Sequence, residues 1–448
     1  MDNHKLYQIE IDPSGPLFFR DARPMGASDI GSGAAWPQTG MFHNAMLSAF
    51  HEKWPALQDW EFPHHRRVAR DVNWNSSSMR FGGLKTAGPF PFLEGRMYFP
   101  TPSDLVAEEN KDGSVSYGVM SPASCPGKSN LPASLKQSPL SPFPPSKAES
   151  GPWLSTEDFG KYLNGRLEDL HPRAASDFYV VEARPGVAID PNTGTALDKG
   201  LYQAEYLRLK PGVSMTAFAE CASIAHPRGD GPSNCDVMEL FFEDANKNVA
   251  FGGQRGMVYL KDRRAADLKD PFAFIAAQPT GVRIKWVLLS PSVFVGGWLP
   301  GWLNPVSGKV MLKRGGIDRI PGEKREAWRA RLQQAPAIDA TLVAARVPKP
   351  VAFSGWQLDT CVDAEAREAQ GQIPEGGRTP HARKPGPKAT ILAVPAGAVY
   401  YFEAVSPEAA ASLVAALNGQ RCSDRFGERG FGVGVCAAWQ AGEAFGSK

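Results

Sequence analysis

Apolar and polar residues alternate through LYQIEI (6–11), which predicts a half-buried strand. The chain then runs past Gly15 and Pro16 into Phe18 and Phe19 and ends at Arg20, Asp21 and Arg23. On its own that ending reads first as a strand-end turn carrying a solvated Arg–Asp pair. In WPQTGMFHNAMLSAFHEKW (36–54), Thr39 is placed to cap a helix whose Phe42, Ala45, Met46, Ala49 and Phe50 form one apolar face. GLYQAEYLRLKPG (200–212) and VSMTAFAEC (213–221) predict a hairpin around Pro211-Gly212. DVMELFFED (236–244) predicts a short helix, and VAFGGQRGMVYLK (249–261) a glycine-rich turn entering a strand. Further strands are predicted within 281–294, 340–356 and 397–405. SPEAAASLVAALNG (406–419) carries a full set of helix signals: Ser406 at the cap, Pro407 at the first position, Glu408 in the first turn and Gly419 at the stop. RFGERGFGVGVCAAW (425–439) is again a glycine-rich loop opening a strand.

Strand, helix, glycine loop and strand therefore recur near residues 250 and 430. The economical fold is α+β: two tandem βαββαβ units of the ferredoxin-like, RRM-like kind, with long insertions, the first over 1–270 and the second over 280–448. The 39 prolines and 45 glycines, spread among short apolar segments, also favour strands with elaborate loops over a helical bundle. Residues 121–152 hold eight prolines and eight serines without periodicity, which predicts a mobile insertion outside the core.

Composition narrows the classes. A chain of 448 residues exceeds one ordinary core, and 42% hydrophobic with 21% charged residues is globular. No run approaches the ~18 apolar residues of a membrane span, and MDNHKLYQ lacks the apolar centre of a secretory signal. Cysteines 125, 221, 235, 361, 422 and 436 form no CxxC pair, which predicts reduced thiols in a cytoplasmic protein. With 49 basic and 47 acidic residues the net charge is +2, so any nucleic-acid contact must come from local patches.

The glycine loops are chemically ambiguous. Their glycines serve either positive φ alone or a close approach of bare N–H groups to phosphate. The first, GGQRG, carries Gly252, Gly253 and Arg255; the second, GERGFGVG, carries Arg429, Gly430, Phe431, Gly432 and Gly434, a cation and an aromatic ring among glycines. Neither matches GxxxxGK[ST], and each precedes a strand rather than a helix, which disfavours nucleoside triphosphate and dinucleotide cofactors. His64 and His65 are adjacent and would point apart on a strand, a poor metal pair. GxSxG, HExxH and deaminase-type patterns are absent. The residues thus give no catalytic constellation, no metal site and no cofactor. Basic stretches occur at HHRRVAR (64–70), KDRR (261–264) and RTPHARKPGPK (378–388), each of which is equally a solvated face or a patch for RNA.

GPLFFRDARPMG (15–26), YFPTPSDL (98–105), AIDPNTGTALDKGLYQAEYLRL (188–209), AFGGQRG (250–256), VAFSGWQLD (351–359), GPKATILAVPAGAVYYFE (386–403) and GFGVGVCAAW (430–439) follow one another in an order that resembles the third-subunit family of the type III-B CRISPR Cmr effector complex. The resemblance spans nearly the whole chain and is most specific at the C-terminal glycine loop. It implies a RAMP protein of tandem ferredoxin-like domains without catalysis of its own. Such a protein caps the 5′ handle of the guide (cr)RNA, docks on the large cyclase-type subunit and adjoins the backbone RAMP subunits, in antiviral defence. It places Arg20, Asp21 and Arg23 in an FFRD-x-R motif at an RNA-facing strand end. It also places Gly252, Gly253 and Arg255 in the first loop, Gly430, Phe431, Gly432 and Gly434 in the second, and Lys388 in a PKA segment. Many members of the family it resembles carry an arginine in the first helix, where this chain offers only His43 beside Thr39. Two rival readings stay open: a RAMP endoribonuclease that processes precursor guide RNA with His43 as general base, and the equivalent subunit of another type III subtype.

Overall fold

The computed structural model describes residues 5–442 except 21, 23–29, 32–35, 55–67, 71–75, 79–82, 125–130, 145–149, 191, 222–234, 244–245, 263–271, 273–280, 314–319, 321, 355, 358–385 and 388. The elements that frame the fold are, in chain order, β1 (Lys5–Pro13), α1 (Met41–Lys53), β2 (Lys85–Leu93), β3 (Arg96–Pro100), β4 (Trp153–Ser155), α2 (Thr156–Leu163), β5 (Tyr179–Ile189), β6 (Ala196–Leu209), β7 (Val213–Cys221), α3 (Val237–Glu243), β8 (Asn248–Ala250), β9 (Met257–Asp262), β10 (Arg283–Leu288), α4 (Arg325–Gln334), β11 (Ala340–Arg346), β12 (Val399–Ala404), α5 (Pro407–Leu417) and β13 (Gly434–Ala438).

Two antiparallel sheets dominate. The first runs β4-β3-β2-β7-β1-β9-β8 and the second β11-β12-β10-β13. In both, the four strands that alternate with helices stand in one spatial order: second, third, first, fourth. In each half a helix follows the first of these strands and another follows the third. The strand alternation of LYQIEI, the helix α3 and both glycine loops stand where the sequence puts them.

Three cores explain the apolar pattern. One face of the first sheet (Ile9, Ile11, Met215, Val258) packs on α1 and α3 through Phe42, Met46, Phe50, Val237 and Phe241. One face of the second sheet (Ile284, Trp286, Tyr400, Phe402) packs on α5 through Leu413 and Leu417. The remaining faces meet in a third core that joins Ala87, Phe90 and Phe218 to Val287, Val399, Tyr401, Val435 and Ala437. Trp286 and Val287, or Tyr400 and Tyr401, therefore point to different cores, as period-2 geometry requires. Burial on both faces is why WVLL (286–289) and VYYF (399–402) read as unbroken runs.

Three sequence expectations are corrected. The residues 200–209 and 213–221 do turn tightly, with the Val213 N–H donating to Lys210 O at 3.0 Å, but they do not pair. β6 pairs with β5, whereas β7 pairs with β1 and β2, because β7 is buried on both faces and belongs inside the larger sheet. Thr39 does not cap α1: Gly40 is the N-cap at φ 92°, and no side chain caps the helix. The 121–152 insertion is not wholly outside the core. Ser121–Ala123 and Ser138–Leu140 form a ribbon, Leu135 packs on the second half's core, and the Lys136 and Gln137 N–H groups both donate to Val343 O at 3.0 Å.

Candidate nucleic-acid interface

The strand-end motif and the first glycine loop are one structure. Beyond β1 the chain bonds to β6, with Leu17 and Leu207 exchanging backbone hydrogen bonds at 2.9 and 2.8 Å, and the Gly253 N–H donates to Phe18 O at 2.8 Å. Leu17, Phe18 and Phe19 are buried while Arg20 is exposed. A Cβ at Gly252, where φ is 83°, would lie 2.7 Å from Phe18 O, so glycine is required here by backbone packing. The loop tip closes with the Gly256 N–H donating to Gly253 O at 3.1 Å. Gln254 (φ 55°) and Arg255 (φ 59°) occupy the two central positions of a type I′ turn. Two successive side chains in the left-handed region store strain, and the turn holds Arg255 out in solvent. Asp21, Arg23 and Lys388 lie outside the described residues, as do most of the three basic stretches.

The second glycine loop is packed inside the molecule. Gly430 (φ 91°) leaves room for β2: a Cβ would stand 2.9 Å from Thr86 O and 3.0 Å from Ala87 Cα. A Cβ at Gly432 would collide with the backbone of Ser423, and one at Gly434 with the Trp286 indole. Phe431 is only 5% exposed and rests against Phe353 and Phe426, with ring centroids 5.2 and 5.8 Å away. Its ring is thus a core ring, unavailable to a base in this arrangement. Arg429 keeps a partly exposed guanidinium, 5.1 Å from the Phe426 ring and 3.4 Å from a Glu428 carboxylate oxygen. Gly40 meets this loop directly, since a Cβ there would lie 3.3 Å from the Phe431 ring and 3.5 Å from Arg429 Cβ. Thr39 is half-buried in the turn before it. His43 is 2% exposed, and its Nδ1 lies 3.4 Å from Thr86 Oγ1. That burial keeps the imidazole from a scissile 2′-OH, against the endonuclease reading.

An aromatic–cationic face emerges on the β5–β6 hairpin that the sequence reading did not single out. Glu182 accepts from Arg184 Nε and from Arg208 Nε, each at 2.6 Å. The Arg208 and Arg184 hydrogen bonds hold its carboxyl below the usual carboxylate range. The Arg184 guanidinium lies 4.9 Å from the Tyr206 ring centre, and Tyr206 packs 5.5 Å from Phe18. Tyr202 lies over Gly186, where any Cβ would enter its ring. The signal was present as period-2 spacing: Tyr202, Tyr206 and Arg208 share one face of β6, opposite Gly186, Arg184 and Glu182 of β5. From the Arg255 tip through Phe18 and Tyr206 to Arg184, rings and guanidinium groups form a connected series.

The family profile described as CRISPR-associated protein (Cas_Cmr3) matches residues 9–439. The chain belongs to the Cas_Cmr3 family. Curated proteins give no match in sequence. Among solved structures, a chain of the type III-B Cmr-beta complex bound to cognate target RNA aligns at 13% identity and TM-score 0.37, covering 88% of this chain and 86% of that one. A chain of the Csm3-Csm4 subcomplex of the type III-A interference complex aligns at 8% identity and TM-score 0.36, covering 90% and 93%. The family assignment rests on the profile match. Among the described residues no helix is long and apolar enough to cross a membrane.

Proposed function

We propose that this Cas_Cmr3 chain is a non-catalytic, cytoplasmic subunit of a type III-B effector that binds and caps the 5′ handle of the guide RNA and docks on the large cyclase-type subunit beside the backbone RAMP subunits. The fold proposed with it is a tandem of ferredoxin-like units, supported by the identical order of the four helix-linked strands in both sheets. The observation that carries the RNA reading is the set of exposed Arg20, Arg184 and Arg255 with the partly exposed Tyr206, on segments tied together beneath the surface by the buried Phe18 ring. Single strands are held by cations along the phosphates and by rings against the bases, and this surface supplies both without a base-specific pocket. The second glycine loop contributes through Arg429 at its rim, while its glycines and Phe431 shape the scaffold. Co-expression with the large subunit, followed by sequencing of the RNA that co-purifies, tests the proposal. Enrichment of repeat-derived 5′ ends is expected; recovery of the pair with random cellular RNA, or with none, contradicts it.

A further inference from the structure

Lys285 interrupts the apolar strand β10 and faces the core shared by the two sheets. It is 3% exposed, and Asp104 is fully buried. Lys285 Nζ donates to Asp104 Oδ2 at 3.2 Å and to Tyr162 Oη at 2.8 Å. Tyr162 and Tyr401 hydroxyls donate to the two carboxylate oxygens at 2.6 and 2.9 Å. Nζ also sits 3.9 Å from the Tyr162 ring centre. Burial, and after it the Asp104 charge, pushes both tyrosines up, so they stay protonated donors; burial pulls Lys285 down while Asp104 opposes it. Two members, Asp104 and Tyr162, come from the first half of the chain, and two, Lys285 and Tyr401, from the second.

The apolar contacts around this cluster are non-directional. Aliphatic and aromatic faces lose uniqueness of arrangement before they lose stability. A slip of one residue along a strand, ~3.3 Å, would instead carry Lys285 away from its acid and bury an unpaired charge. The rim repeats the device more weakly: Arg421 donates to Thr86 O at 3.3 Å and to Glu220 at 3.1 Å. We propose that Asp104, Lys285, Tyr162 and Tyr401 form a register pin, a buried ionic cluster that fixes how β10 and β12 of the second sheet seat against α2 and the turn after β3, and so holds the halves, with their glycine loops, in one arrangement. Replacing such a cluster by apolar groups is often neutral or stabilising, whereas removing one partner is not. Specificity of arrangement, rather than stability, is therefore what the cluster supplies.

The test uses the full chain and no RNA, so it stands or falls apart from the RNA reading. Lys285→Met alone should lower the melting temperature by more than about 5 °C. Asp104→Leu with Lys285→Met should recover it. In that double variant, amide hydrogen exchange in β2, β10, β12 and β13 should nonetheless rise at least about tenfold as alternative facings become populated. Wild-type protection in the double variant would show that apolar packing alone sets the register. Failure to recover stability would make the cluster an ordinary stabilising contact, and either result overturns the proposal, as does an unchanged melting temperature in Lys285→Met. Tyr162→Phe with Tyr401→Phe, which removes two donors while keeping the rings, should show the same rise in exchange, and wild-type protection there also overturns the proposal.

Discussion

Phe431 sits between two glycines in the left-handed region, Gly430 and Gly432, in a segment whose sequence suggests an exposed stacking ring. Its burial against Phe353 and Phe426 reverses that reading. Phe431→Ala should cost about 3–5 kcal/mol of stability through cavity formation, with handle-RNA affinity per folded molecule within twofold of wild type; parallel melting and filter-binding measurements check this. Glu182 supports a prediction about pH. Its folded carboxyl is held low by Arg208 and Arg184, so the ion pairs are complete above the ordinary carboxylate range and are lost as pH falls through the lowered value. Carboxyl-carbon NMR should give a Glu182 midpoint below that of a free glutamate, moving upward in Arg208→Ala; equal midpoints in the two proteins would contradict the clamp.

At the scale of elements, what was legible follows from local rules and what was not follows from partner choice. Ser406 caps α5 as its sequence announces, its hydroxyl accepting from the Ala409 N–H at 3.2 Å. Nothing local says that 200–209 leaves 213–221 and pairs instead with 179–189, where Pro185-Gly186 reads as a break. Pro185 is tolerated because, among the described residues, β5 has only β6 as its neighbour, and Gly186 is set by the Tyr202 ring upon it. The glycine loops were legible as loops, but their roles were not: whether a glycine faces solvent or another strand is a tertiary fact. Gly252 makes that measurable. Gly252→Ala combines a positive φ with a Cβ 2.7 Å from Phe18 O, and should destabilise by at least ~1 kcal/mol in chemical denaturation. An unchanged midpoint would mean that the loop does not need its close approach to Phe18.

For the whole molecule, a net charge of +2 provides no global attraction for RNA, so binding must arise where cations converge. Arg20, Arg184 and Arg255 are exposed on three different segments that meet through the pairing of Phe18 with Gly253 and the packing of Phe18 on Tyr206. The most direct measurement of this account is the salt dependence of 5′-handle RNA binding by the wild-type chain and by an Arg20→Ala/Arg184→Ala/Arg255→Ala variant. If the surface neutralises ~4 phosphates of a single strand, the log–log slope should be near −3, and it should shrink by about two in the triple variant with melting unchanged. A wild-type affinity independent of salt, or a slope that survives loss of all three arginines in a folded protein, would contradict it.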